Sequence, residues 1–224
     1  MVGAAGLSFP ILLTLRTCAL SLILFVAIGL PLAFWGSRSK SIASRVASFF
    51  VTLPLVFPPI AMGFILLLLL GRNGPVGRPL ESLFGVRIAF SQTGVVLAAL
   101  VAGLPMVVRP VQAAMGRLEV RRLEEAARTL GCGPLRTFLL VTIPQVGGSI
   151  ASGLLLGLAR ASGEVGITMM LGGNIARRTN TLSLEIYNSV SRGEFDEAMK
   201  LCLILAALGL VLYLLLEKFK IGEV

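Results

Sequence analysis

Five stretches of this chain run without a single charged side chain: 17–37, 46–70, 89–108, 137–159 and 201–216. No other feature limits the fold as much. A helix needs about 20 apolar residues, each rising about 1.5 Å, to cross the hydrocarbon layer of a bilayer. The first four stretches meet that requirement unaided, and Ala198 and Met199 extend the fifth. The expected fold class is an all-α integral membrane protein with five transmembrane helices, at about 12–36, 46–70, 89–113, 144–165 and 197–217. A composition of 56% hydrophobic and 14% charged residues agrees, being too apolar for an ordinary soluble domain. The first stretch has no basic segment before it and no small-x-small site closing a short apolar run, so it is expected to be an uncleaved span.

A net charge of +9 raises nucleic acid as a partner. The basic residues, however, are scattered between apolar helices, and the positive-inside bias accounts for them with no nucleic acid involved. With loops assigned alternately to the two sides, the larger share falls with Arg38, Lys40, Arg45, Arg109, the arginines of 117–136, Lys218 and Lys220. Placing that set in the cytoplasm puts the N-terminus outside and the C-terminus inside a plasma (inner) membrane of a bacterium or archaeon. One domain, 1–224, is expected, with no soluble appendage after the last span. No internal repeat is visible, which argues against an inverted-repeat carrier. Cys18, Cys132 and Cys202 lie far apart and there is no histidine, so no metal site is expected. Nor is there a G-x-x-x-x-G-K-[ST] phosphate loop, so the chain is not expected to be an enzyme or to bind ATP or any other cofactor itself.

Several spans carry helix breakers. Pro54, Pro58 and Pro59 fall in the second, and Gly103-Leu104-Pro105 marks the third. Backbone groups freed by such breaks need a neighbour or water inside a membrane, so they mark either tight packing or the lining of a pathway. The clustering in the second span favours a pathway. Arg160 and Glu164 stand one helical turn apart at the end of the fourth uncharged stretch, where isolated charge is costly. They are either an ion pair near the interface or part of a gate. Gly163 and Gly166 flank Glu164 and predict a helix break, while Thr168, Gly172, Gly173 and Asn174 supply N–H groups and polar side chains near the outer mouth. The loops at 71–88 and about 172–200 are expected outside, where Arg72, Arg78, Arg177 and Arg178 meet either lipid headgroups or a partner.

The charged interruption "EEAARTLGCGPLRTFLLVTIP", residues 124–144, fits none of the spans. Leu123, Ala126, Ala127 and Leu130 fall at i, i+3, i+4 and i+7, one stripe of an amphipathic helix. Glu124 with Arg128 and Arg121 with Glu125 form i, i+4 pairs on its flanks. Gly131 suits the left-handed residue that ends a helix, and Pro134 the first turn of the next. The expectation is a short cytoplasmic helix, a sharp turn, and a second helix passing through Pro144 into the fourth span, the whole loop covering about 116–143. With two alanines on its stripe, the first helix either offers a partner a close approach or rests on headgroups.

Glu125-Ala126-Ala127, then Gly131, then Val141, Ile143 and Pro144 resemble the EAA signature of ABC importer permeases, with Val141 and Ile143 as conservative departures. The stretches at 54–77, "AARTLG" (126–131) and "ARASGEVGITMMLGGNI" (159–175) are similar to the molybdate branch of that family. Tungstate permeases share much of the last pattern, and sulfate permeases are more distant cousins. The resemblance implies the type I ABC importer permease fold, with the loop as a coupling helix. It further implies a homodimer of this chain in membrane lipid, two ATP-binding cassette ATPase subunits that bind ATP-Mg, and an extracytoplasmic oxyanion-binding protein. Carried over, Glu125, Ala126, Ala127, Gly131 and Pro144 are the implied ATPase-coupling residues. Pro58, Pro59, Gly163, Glu164, Gly166, Thr168 and Asn174 are gate or pathway candidates. The expected function is the pore subunit of a molybdate importer; a tungstate or sulfate importer, and more distantly an ATP-independent channel or carrier, are the alternatives.

Overall fold

A computed structural model describes residues 4–220, and every regular element in them is helical. The two extreme ends, whose sides of the membrane the charge bias assigns, lie outside the described residues. Helix α1 (Ala4–Leu24) continues through a π-helical turn (Phe25–Gly29) into α2 (Leu30–Arg38), one rod with the first expected span inside it. The π-turn has a local cause. Pro31 has no N–H to give the carbonyl four residues back and its ring would strike that carbonyl, so the backbone widens just before it.

The stretch expected as one span at 46–70 is two helices. Ser41 caps α3 (Ile42–Val56) by accepting from the Ser44 N–H, and α4 (Pro59–Leu70) follows after a break. A residue before proline is pushed out of the helical region. Phe57 precedes Pro58 and Pro58 precedes Pro59, so two positions in a row are extended, with ψ of 142° and 132°. At 15 and 12 residues, neither piece reaches the length of about 20 residues that crosses a bilayer alone. A surface helix, α5 (Gly77–Phe84), fills the next loop.

From there the chain runs through α6 (Gln92–Met115), α7 (Leu118–Thr129), α8 (Pro134–Thr137), a second π-turn (Phe138–Thr142), α9 (Ile143–Ser162), α10 (Gly166–Gly172), α11 (Leu182–Ser191) and α12 (Phe195–Lys220). Helix α6 is the central post. It continues unbroken through Pro105 and Pro110 and packs against α1, α2, α3, α9 and α10. The Gly103-Leu104-Pro105 signal is therefore a contact point and not an interruption. Gly103 of α6 and Gly157 of α9 let the two helices touch backbone to backbone. A Cβ at Gly103 would meet the Phe25 ring and lie 2.6 Å from the Gly157 carbonyl oxygen, and one at Gly157 would lie 2.6 Å from Val107 Cγ2. Small residues at such crossings are the usual means of close helix packing in lipid.

Among the described residues four rods are long and apolar enough to cross a membrane: Ser8–Arg38, Gln92–Met115, Pro134–Ser162 and Phe195–Leu215. In the third of these the helix starts ten residues before the span expected from Pro144, because the second π-turn again widens the backbone two residues ahead of a proline and carries the rod past it. The segment beyond Gly172, expected outside the membrane, is partly buried within the chain. Thr179 to Leu184 are buried, because polar groups along it are engaged within the chain. The Leu182 N–H donates to Thr14 Oγ1 at 2.8 Å, the Ser183 hydroxyl donates to the Ser162 carbonyl at 2.6 Å, and Asn180 Nδ2 donates to Glu185 Oε2 at 2.8 Å.

Candidate functional site

The loop expected to couple to an ATPase is built on α7. Its C-terminus closes with Gly131 at φ +83°, while the Cys132 N–H returns to the Ala127 carbonyl at 3.0 Å and the Leu130 N–H to that of Ala126 at 3.1 Å. This is the six-to-one closure that a left-handed residue permits. Pro134 opens α8 at its first position. The stripe Leu123, Ala126, Ala127 and Leu130 faces away from the rest of the chain, Leu130 being 85% exposed and Leu135 beyond the turn 70%. Glu125 and Pro144 are exposed as well. The loop therefore leaves Glu125, Ala126 and Gly131 exposed and Ala127 half-buried, with an apolar groove past the turn lined by Gly133, Pro134, Leu135 and Leu139.

The charge pattern expected for α7 differs from the one observed. Glu124 does not serve as a surface partner of Arg128; it is 4% exposed and turned inward. It accepts from the Arg38 guanidinium at the end of α2 and from Thr142 Oγ1 in the second π-turn, the latter at 2.5 Å. No ion pair joins Arg121 to Glu125 among the described residues. Burial on its own raises the Glu124 carboxyl. The hydrogen bonds from Arg38 and Thr142, with the charges of Arg38 and Arg128, outweigh that and hold it below the usual carboxylate value. Sequence spacing could not show this site: the two partners stand 86 and 18 residues away. Only the doubled glutamate hinted that one of the pair had another task.

The gate candidates gather where the chain is broken. Helix α9 ends at Ser162, and Gly163, Glu164 and Val165 separate it from α10. Glu164 is 2% exposed, pairs with Arg160 Nη1 at 2.5 Å and accepts from the Ile167 N–H at 2.7 Å, so it caps α10 while neutralising the arginine. The pairing reading of these two charges is the one the geometry supports. Helix α10 lies against α4. A Cβ at Gly166 would be 2.7 Å from Pro59 Cβ, and one at Gly63 would be 2.8 Å from Met170 Cβ and 2.9 Å from Ile167 Cα. These contacts run in step along both helices, so α4 and α10 are parallel and start at the same level. Pro58 is exposed at the N-cap of α4, and Thr168 is buried in α10. Asn174 stands apart from them, paired with Asn188 of α11 through 2.6 and 3.1 Å hydrogen bonds. Past the far ends of α4 and α10 a cavity of about 250 Å³ is lined by Arg72, Glu81, Arg87, Phe90 and Arg178, with Glu81 bound to Arg87 at 2.6 Å.

Residues 25–219 match the family model described as binding-protein-dependent transport system inner membrane component. The chain belongs to this family. As a member it is a multi-pass inner-membrane transport subunit with the all-helical permease fold, and the α7 loop and the broken helices are parts of a permease. Among similar proteins are three named molybdenum transport system permease protein ModB. That of Azotobacter vinelandii is 36% identical over 207 residues, covering 92% of this chain and 89% of the relative. That of Haemophilus influenzae is 36% identical over 217 residues, 96% of this chain and 92% of the relative. The Escherichia coli K12 protein is 35% identical over 208 residues, covering 92% and 90%.

Proposed function

We propose that this chain is the membrane pore subunit of an ATP-driven molybdate importer. The observation that carries the reading is the end-to-end similarity to permeases named for molybdenum transport, covering the α7 loop and both broken helices together. In this reading the outward face of α7 and α8 docks a separate ATPase subunit that binds ATP-Mg, and Glu125, Ala126, Ala127 and Gly131 make the contact. Pro144 lies inside the moving rod, two residues past the π-turn at Phe138–Thr142. An extracytoplasmic binding protein delivers the oxyanion on the opposite side, where the N-terminus would lie, and the C-terminus would be cytoplasmic. Two copies of the chain in the lipid bilayer enclose the pore. ATP binding draws the ATPases together, displaces α7 and opens the pore outward; hydrolysis resets it.

The broken pair α4 and α10 supports the choice of gate. Both are short pieces, so they can shift against α6 without bending a full-length span, and the Glu164–Arg160 pair leaves no net charge there to hold a dianion. Proteoliposomes containing the permease, its ATPase and the binding protein test the whole reading. Uptake of molybdate should require ATP and all three components, and should exceed uptake of sulfate. Uptake by the permease alone would overturn it, and tungstate supplied in place of molybdate defines the anion range.

A further inference from the structure

Two adjacent glutamates open the α7 motif, and their surroundings differ. Glu125 is exposed on the docking face, whereas Glu124 is buried and tied to two other segments. We propose that Glu124 is a positioning residue, a latch through which displacement of α7 is passed to the membrane rods; this rests on the importer reading above. Its carboxylate gathers the last residue of the first rod, Arg38, and the π-turn at the start of the third, Thr142, onto a single oxygen. The same two rods also meet directly through the edge-to-face pair Phe34–Phe138, with ring centroids 4.9 Å apart. Helix α7 otherwise rests mainly on the π-turn, α8 and the end of α6, so Glu124 is its polar tie to the first rod.

The setting permits movement as well as attachment. A cavity of about 140 Å³ lies beside the carboxylate, lined by Phe34, Arg38, Met115, Glu124, Arg128 and Phe138 among others. Packed protein transmits motion by switching between discrete arrangements, and space next to the buried carboxylate and its half-exposed arginine gives the side chains a second arrangement to occupy. The π-turn that holds Thr142 is a widened segment of helix of the kind often found at functional positions. Push α7, and Arg38 and Thr142 must follow or the carboxylate is left buried without partners, which is costly.

The test uses the complete transporter in proteoliposomes, reading ATP hydrolysed per molybdate imported. Glu124→Gln keeps the shape and the hydrogen bond with Thr142 but removes the charge. It should raise that ratio by about fivefold or more, the low end of coupling between linked sites, while the ATPase still co-purifies with the permease. A second readout uses Trp35, the chain's single tryptophan, which lies one turn before Arg38. Its emission, isolated by subtracting the Trp35→Phe protein, should change on ATP binding in the native transporter and not in Glu124→Gln. Transport and hydrolysis that fall together, with the Trp35 response kept, would overturn the latch. If Glu124→Gln fails to assemble, the exchange of both partners, Glu124→Arg with Arg38→Glu, decides: a restored ratio supports the latch, and an assembled but uncoupled transporter overturns it. Failure of the native transporter to import at all would instead sink the importer reading.

Discussion

At the level of single residues, glycines separate two kinds of constraint. At Gly131 a Cβ would meet nothing within 4 Å, yet φ is +83°. The only penalty for alanine is backbone strain of about 1–2 kcal/mol, so Gly131→Ala should keep the fold and shift α7 thermally by a little. Gly131→Val places a β-branched side chain on the proposed docking surface, and should abolish ATP-dependent uptake while membrane insertion, measured by alkali-resistant pelleting, stays intact. Gly157 is the reverse case, with ordinary dihedrals and no room. Gly157→Leu should prevent a stable fold altogether, seen as loss of the monodisperse peak in detergent. Glu124 adds a pH prediction. Its carboxyl is held below the ordinary value of 4.5, so its contribution to stability is fully present above that value and is lost as pH falls through the lower, folded-state one. Below pH 4.5 amide exchange across Leu118–Thr129 should therefore accelerate in the native chain beyond the acceleration in Glu124→Gln, compared at the same pH.

Elements were legible in the sequence wherever one local cause fixes them. Gly131 and Pro134 marked the turn after α7, and Gly163 and Gly166 marked the break before α10, because a left-handed residue or a missing N–H acts within one turn of helix. What was read less well depends on what surrounds the proline. Pro58 and Pro59, back to back, split a span in two. Pro105 and Pro110 leave α6 unbroken in the middle of the bundle, and Pro31 and Pro144 are each absorbed by a π-turn. Identical residue types thus give three outcomes, and the neighbours choose among them. The α4–α10 pair yields a prediction at this scale. Since a Cβ at Gly63 runs into backbone of Ile167 and not merely a flexible side chain, Gly63→Ala must push the two short helices apart. Molybdate uptake should fall by about tenfold or more, equivalent to roughly 1.4 kcal/mol, with the ATPase still bound.

Across the whole molecule, burial is uneven in a way hydropathy could not foretell. The most apolar 18-residue window of α6 is 61% buried, against 28% in the first rod, 17% in the third and 11% in α12. All four windows look alike as sequences, since lipid and protein interior demand the same apolar side chains; only the packing shows that α6 is the post around which the others stand. The buried polar knot from Thr179 to Leu184 was hidden for the opposite reason, its hydrogen-bond partners lying far off in α1 and α9. If two copies assemble, α12 is a natural place for lipid or a second copy, and crosslinking of cysteines placed along its exposed face tells these apart.

The bare leucines around the α7–α8 turn also bear on how a cell must make this protein. Leu123, Leu130 and Leu135 are 44%, 85% and 70% exposed, so the chain itself leaves them largely uncovered. Exposed apolar surface of this kind is what chaperones and proteases recognise. A copy synthesised without its cytoplasmic counterpart should be degraded sooner, so pulse-chase labelling should show a half-life that lengthens when the ATPase is co-expressed. Production of the two polypeptides would then be matched by disposal of the surplus, and the surface proposed to dock the ATPase would also limit how many copies persist.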